Sequence, residues 1–318
     1  MTAAAYSIPL SQNGQELLKR GTPLFPCSAY EREIRQHIGN EIPPHWHPEL
    51  EVFMLDEGCV RISLIDCEFD LQPGEGYFVN SNVLHGVFCR SDGPCRYRSI
   101  VFDPIIVSGA PGSAFDMLYV RPFTEQGAPI WLLRPDDKCG SPSIAELFGM
   151  AHYACENEPE GYEFSVRDAL SRILLQLKGR SRENSGRLAA QQELRMKQML
   201  SWLDEHYSDP VTVSQLANAA GICVRECQRL FSNFLHDTPM QYLARRRIAA
   251  AAELLASTDL PITQVAMCCG FETPSYFAKQ FKGITGVTPR EYRLQSLRIK
   301  PDKLWYERPL FNERRRLT

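Results

Sequence analysis

Val213-Ser-Gln-Leu-Ala-Asn-Ala-Ala-Gly-Ile222 and Ile262-Thr-Gln-Val-Ala-Met-Cys-Cys-Gly-Phe271 are one pattern written twice, and the reading of the C-terminal part follows from it. The copies stand 49 residues apart up to Gly221 and Gly270, and 50 apart beyond them. There Arg229 pairs with Lys279, Thr238-Pro239 with Thr288-Pro289, and Tyr242 with Tyr292. Two copies are too few for a solenoid, so the period marks a duplicated small module.

In the first copy Thr212 and Gln215 have the spacing of a capping box, followed by Val213, Leu216, Ala217 and Ala220 on one helical face. Gly221 supplies the left-handed residue that ends that helix. A second helix is predicted from about Val224, with Cys227, Leu230, Phe231 and Phe234 inward and Arg225, Gln228 and Arg229 outward. The second copy repeats the plan. Thr273-Pro274 places a cap before a proline at the first helical position, Phe277 and Phe281 point inward, and Ser275, Lys279 and Lys282 point outward. Helix, glycine turn, helix with long donors on the free face is the plan of a helix-turn-helix, whose second helix enters the major groove. Arg and Gln can read base edges there, and Lys suits phosphate or guanine.

Residues 211–293 resemble the DNA-binding region of the AraC-type transcription regulators. The likeness rests above all on the string from Ile262 through Lys282 and the closing Gly286-Val-Thr-Pro-Arg-Glu-Tyr-Arg293. The resemblance implies two helix-turn-helix units joined by a long helix from Thr238 or Pro239 to Ala256. It also implies groove contacts by Arg225, Gln228 and Arg229 in the first unit and Ser275 and Lys279 in the second. Cys223 departs from the pattern, since a Ser or Thr usually caps that helix.

The net charge of −3 would by itself argue against nucleic acid. Divided at residue 190, however, the chain carries net −8 before that point and net +5 after it, so the positive field lies where the proposed readers are. At 318 residues the chain suits two domains, and no segment has the roughly 18 uninterrupted apolar residues of a membrane span. The first twenty residues carry no signal-peptide pattern. Eleven cysteines, an odd number without a CxxC pair, fit reduced thiols used as small core residues in the cytoplasm.

From Cys27 to Phe102 the pattern changes to short β-type runs separated by turns, as in a barrel or sandwich. Gly39-x5-His45-Trp-His47-x3-Glu51-x6-Gly58 resembles the first cupin motif, and His85, after Pro73-Gly-Glu-Gly76, resembles the histidine of the second. Strand alternation sends His45 and His47 to one face, with Glu51 at even spacing from both. Three imidazoles and a carboxylate in a barrel suit zinc, nickel, manganese or iron. The same residues suit a metal-free polar pocket for a small effector such as a sugar, with Trp46 or Tyr77 stacking on it, or they are structural.

Residues 1–20 read as a loose lead-in and 103–140 as an irregular connection. Helices are predicted from Pro142 to about Asn157 and from Tyr162 to Lys178, the second with a wide apolar stripe for the barrel or for a dimer seam. The expected protein is a multi-domain α+β chain. Residues 1–180 form a small cupin-like β-barrel with flanking helices for effector binding and dimerisation, and 181–190 a linker. An all-α domain with two helix-turn-helix units spans 191–294, and the tail 295–318 has no assigned role. The expected function is sequence-specific transcription regulation under a small-molecule effector at His45, His47, Glu51, His85 and Trp46, with a divalent transition metal as the candidate cofactor. Double-stranded DNA, a second copy of the chain and RNA polymerase are the expected partners, with no membrane. The alternative is a metal-dependent cupin enzyme fused to a DNA-targeting module.

Overall fold

Nine strands, paired antiparallel throughout, build the N-terminal architecture in a computed structural model that describes residues 15–135, 141–178 and 187–298. They are β1 (Cys27–Glu33), β2 (Glu41–His45), β3 (Leu50–Glu57), β4 (Val60–Ser63), β5 (Glu68–Leu71), β6 (Gly76–Val79), β7 (His85–Cys89), β8 (Arg96–Phe102) and β9 (Ile130–Leu133). One sheet has the order β1-β8-β3-β6-β9 and the other β2-β7-β4-β5. The short runs are thus the strands of a two-sheet barrel, in the cupin-like form that the resemblance implies.

The five-stranded sheet is covered on both faces, which is why β3 is apolar almost without alternation. Its outward residues Leu50, Val52, Met54, Phe78, Ile100 and Phe102 pack with helices, while Phe53 on the inner face stacks between Tyr77 at 4.7 Å and Tyr97 at 4.8 Å. Gly76 permits β6 to lie this close, because a Cβ there would sit 2.1 Å from the Phe53 carbonyl oxygen.

The connection 103–140 is more regular than its Pro and Gly content suggests. It forms α1 (Ile105–Ser108), a π-helical turn over Asp116–Val120, α2 (Arg121–Gln126) and β9. Val120, Phe123 and Trp131 from it join the core, and their burial outweighs the weak local propensities. Next come α3 (Ile144–Asn157), opened by a capping box between Ser143 and Glu146, and α4 (Tyr162–Lys178). The α4 stripe Val166, Ala169, Leu170, Ile173, Leu174 and Leu177 is buried in the same core as α3 and the sheet. A dimer seam through Leu170 and Leu174 is thereby corrected: both side chains are consumed inside their own unit.

The helix α5 (Arg187–His206) begins inside the segment expected as linker, and residues 179–186 lie outside the described residues. Its first part belongs to the barrel unit, which includes Asn40–Lys197, and the unit that follows starts at Gln198.

That second unit contains α6 (Val213–Ala219), α7 (Val224–Leu235), α8 (Pro239–Ser257), α9 (Ile262–Cys268), α10 (Pro274–Thr285) and α11 (Pro289–Arg298). The tail expected from residue 295 falls partly in α11 and, from 299 on, outside the described residues. Thr212 and Gln215 form their reciprocal cap, and Cys223 at the start of α7 makes no side-chain cap bond. Gly270 is required on two counts: φ is +76°, and a Cβ would lie 2.7 Å from the Ser208 carbonyl oxygen. Cys227, Leu230, Phe231 and Phe234 are buried in the first repeat, and Val265, Ala266, Phe277 and Phe281 in the second. Arg246 grips Asp204 at 2.5 Å, and Arg247 donates to the carbonyls of Tyr207 (2.6 Å) and Asp209 (2.8 Å), fixing the end of α5 to α8. Among the described residues no helix is long and apolar enough to cross a membrane.

Candidate functional site

His45 and His85 are direct cross-strand partners on β2 and β7, which explains why their ring centroids are 4.3 Å apart. Glu51 comes from β3 in the other sheet, and His47 from the turn just beyond β2. One ligand atom from each of the four lies within 4.8 Å of all the others, and all four residues are buried. The structure brings together the four side chains that the sequence reading had converge in the barrel, but from two sheets and a turn rather than from one strand face.

What orients the rings is visible in their other nitrogens. Nδ1 of His45 lies 2.9 Å from the Pro43 carbonyl oxygen, Nδ1 of His47 3.1 Å from that of Glu49, and Nδ1 of His85 2.9 Å from that of Val83. A carbonyl only accepts, so the proton of each neutral ring is assigned to Nδ1 and the Nε2 lone pair is left free. Nε2 of His85 stands 3.3 Å and Nε2 of His47 3.5 Å from Oε2 of Glu51. Acceptors thus face one another, an arrangement that requires a shared proton or a cation.

The proton affinities follow. Burial, together with the neighbouring imidazoles, pushes His45 well below the ordinary histidine value. For His47 burial acts in the same sense, but the hydrogen bond and charge of Glu51 outweigh it and raise the pKa. Burial would raise Glu51, yet the bonds and charge of His47 and His85 hold its carboxyl well below the carboxylate range. Between His45 and His47, it is thus His47 that holds a proton the more firmly in a cation-free site. Three free Nε2 donors and an ionised carboxylate, each imidazole fixed by a backbone partner, could hold a transition-metal ion.

Glu16 and Arg20 were missed as part of a loose lead-in. Glu16 donates its backbone N–H to the Trp46 carbonyl at 3.0 Å and pairs with Arg20, while its Oε2 stands 3.8 Å from Nε2 of His45. Arg20 donates to the Tyr30 hydroxyl at 2.7 Å. Both are buried, and nothing in the local composition signals it, since the strap has no strand or helix period. The Trp46 ring lies under the Lys197 ammonium, 5.2 Å from the centroid. Tyr77 is inside, 6.2 Å from the His85 ring, with its hydroxyl pKa raised by burial and by Glu51.

The loop before His85 is held from α5. Glu193 accepts the Leu84 N–H at 3.0 Å, Lys197 donates to the Asn82 carbonyl at 2.6 Å, and the Asn82 N–H bonds the His47 carbonyl at 2.8 Å.

In the helical unit, Arg225, Gln228 and Arg229 are exposed together on α7, and Ser275, Lys279 and Lys282 on α10, joined there by Tyr276. Arg229 is clasped by Glu226 through two bonds of 2.7 and 3.0 Å.

A helix-turn-helix domain model matches residues 216–295, and a cupin domain model matches residues 33–102. An uncharacterized helix-turn-helix transcriptional regulator of Bacillus subtilis, YdeC, is 26% identical over 290 residues, 89% of this chain and 97% of the relative. The transcriptional activator RhaS of Pectobacterium atrosepticum is 26% identical over 285 residues, 88% of this chain and 98% of the relative.

The chain pairs an AraC-type helix-turn-helix domain with a cupin domain. Its two matched domains are the two units of the fold, and both full-length relatives are named as transcriptional regulators. Among solved structures, ToxT of Vibrio cholerae is 11% identical, aligned over 86% of this chain and 99% of its own, with a TM-score of 0.42.

Proposed function

We propose that this AraC-type regulator senses a small-molecule effector in its barrel, where His45, His47, Glu51 and His85 hold a divalent transition metal, and that α7 and α10 read DNA. One observation supports the metal: the Nε2 atoms of three imidazoles, each ring fixed by a backbone carbonyl, and a carboxylate oxygen meet in a buried space within 4.8 Å of one another. A bound metal would supply a Lewis-acidic centre for an oxygen-bearing effector such as a sugar or hydroxy acid. The chain's own residues orient the three rings through backbone carbonyls and exclude water by burial.

For DNA, Arg225, Gln228 and Arg229 are the base readers of the first unit, and Ser275 and Lys279 of the second, with Lys282 on phosphate. Their side chains share the exposed face of each second helix, where a major groove would meet them. The net charge of +5 beyond residue 190 neutralises few phosphates, so a second copy on a second half-site is part of the proposal. The protein acts in the cytoplasm alongside RNA polymerase.

Elemental analysis tests the metal. Protein purified without chelator is expected to carry close to one equivalent of a transition metal, and His85→Ala to lose it. Less than about a tenth of an equivalent in the unaltered protein sinks the metal and leaves the polar pocket.

A further inference from the structure

Cys27 on β1 and Cys155 near the end of α3 are 128 residues apart in sequence, yet their Sγ atoms stand 3.6 Å apart, in van der Waals contact. The setting explains why. Helix α3 lies along β1, with His152 bonded to the Tyr30 carbonyl at 3.2 Å, and one helical turn further Cys155 reaches Cys27. Phe25 and Tyr162, edge to face at 5.5 Å, pack on the same cluster. A serine pair or two small apolar residues would fill this space as well, and neither the barrel site nor the reading helices use it.

We propose that Cys27 and Cys155 form a reversible disulfide, oxidised by thiol–disulfide exchange with a low-molecular-weight disulfide. The two thiols are unequal. Cys27 is fully buried, and its contact with Cys155 together with burial pushes its pKa well up, whereas Cys155 is half-buried and reachable from solvent. The thiolate of Cys155 attacks one sulfur of the small disulfide, forming a mixed disulfide and releasing one small thiolate. The Cys27 sulfur, already in contact, then attacks Sγ of Cys155, its proton leaving with the second small thiol. In sum the protein dithiol loses two electrons and two protons, and one small disulfide becomes two small thiols. The sulfurs must close from 3.6 Å to the disulfide bond length of about 2.05 Å.

Carboxylates stand near the pair. Glu158 and Glu163 act on Tyr162 beside the pair, and Glu156 lies 3.9 Å from His152 on the same helix. A cationic disulfide therefore arrives faster than an anionic one. Cystamine is the probe. The full-length chain is equilibrated with cystamine and cysteamine, quenched with acid, alkylated, and mapped by mass spectrometry without reduction.

The expected result is the loss of two hydrogen atoms from the intact mass and one linked peptide joining Cys27 to Cys155. The link is reversed by dithiothreitol and absent in Cys155→Ser, while Cys223→Ser, at an exposed thiol, keeps it. Oxidised glutathione should reach the same linked product more slowly. The proposal is overturned if both thiols still alkylate at full cystamine excess, or if Cys155 keeps its cysteamine adduct unresolved. A link formed at Cys89 and Cys95, which also touch, in place of this one overturns it equally. The map of the unaltered protein decides this even where a variant fails to fold.

Discussion

Replacing Leu170 with aspartate is expected to unfold the barrel unit, whereas the same change at Leu175, five positions on, leaves it intact. Leu170 has no exposed surface and packs with Leu147, Phe148 and Val166, while Leu175 on the same helix is 59% exposed. Losing the buried leucine contacts costs about 2–5 kcal/mol. An unpaired carboxylate in that space adds several kcal/mol more. Together these reach the range of an ordinary domain's stability, about 5–15 kcal/mol, and exhaust a domain at its lower end. The exposed substitution should stay within about 0.5 kcal/mol of neutral. Urea unfolding followed by near-ultraviolet circular dichroism reads the difference, because Trp131 lies in the same core. Sedimentation is run beside it. Should Leu170→Asp keep its urea midpoint and merely halve the sedimenting mass, the stripe is an intermolecular seam and the packing argument fails.

In metal-free protein, nuclear magnetic resonance titration should show His45 titrating below the ordinary histidine value of about 6.5 and His47 above it. The His47 contribution to stability is then complete below about pH 6.5 and lost as pH rises through its raised folded pKa; the order reversed would refute the shared proton. Metal affinity should rise over that same interval, as the competing proton leaves. Arg229→Ala should weaken specific DNA by about 1–3 kcal/mol and relax one or two base pairs, and Lys282→Ala should weaken all sequences alike. Anisotropy titrations on operator and scrambled duplexes separate the two, and equal losses for Arg229 remove it from the readers. Cys223→Ser supplies the missing cap of α7 and should raise the stability of the helical unit by about 1 kcal/mol in thermal melts; no change would mean that the helix start is held by packing alone.

The helical unit was legible because its pattern is local. A glycine at +62° or +76°, a Thr-x-x-Gln cap and phenylalanines at helical spacing state their geometry within a few residues. Of the four clustered barrel residues, His45, His47 and Glu51 were legible through alternation and even spacing, and His85 through the resemblance to the second cupin motif. Glu16 and Arg20 were not, since a strap tied to Trp46 by an isolated bridge rather than a strand ladder has no period to detect. The segment 103–140 misled for the opposite reason: its prolines and glycines are real, but Val120, Phe123 and Trp131 are ordered by a core contributed from elsewhere in the chain. The α4 stripe announced burial without saying against what, because the amphipathic pattern is the same for a core and for an interface.

The grip of Glu193 and Lys197 on the loop before His85 makes two positions inseparable. Asn82, Leu84 and His85 are joined by main chain that cannot stretch, and Asn82 is bonded to the backbone of His47 as well. A ligand that shifts either imidazole must carry the loop with it, and then either drag the helix that holds the loop or break two charge-assisted bonds. Occupancy of the barrel and the placement of that helix thus share one free energy, and such sharing runs both ways. A change in the placement of that helix would alter the barrel's affinity for such a ligand by the same factor as the ligand alters the placement.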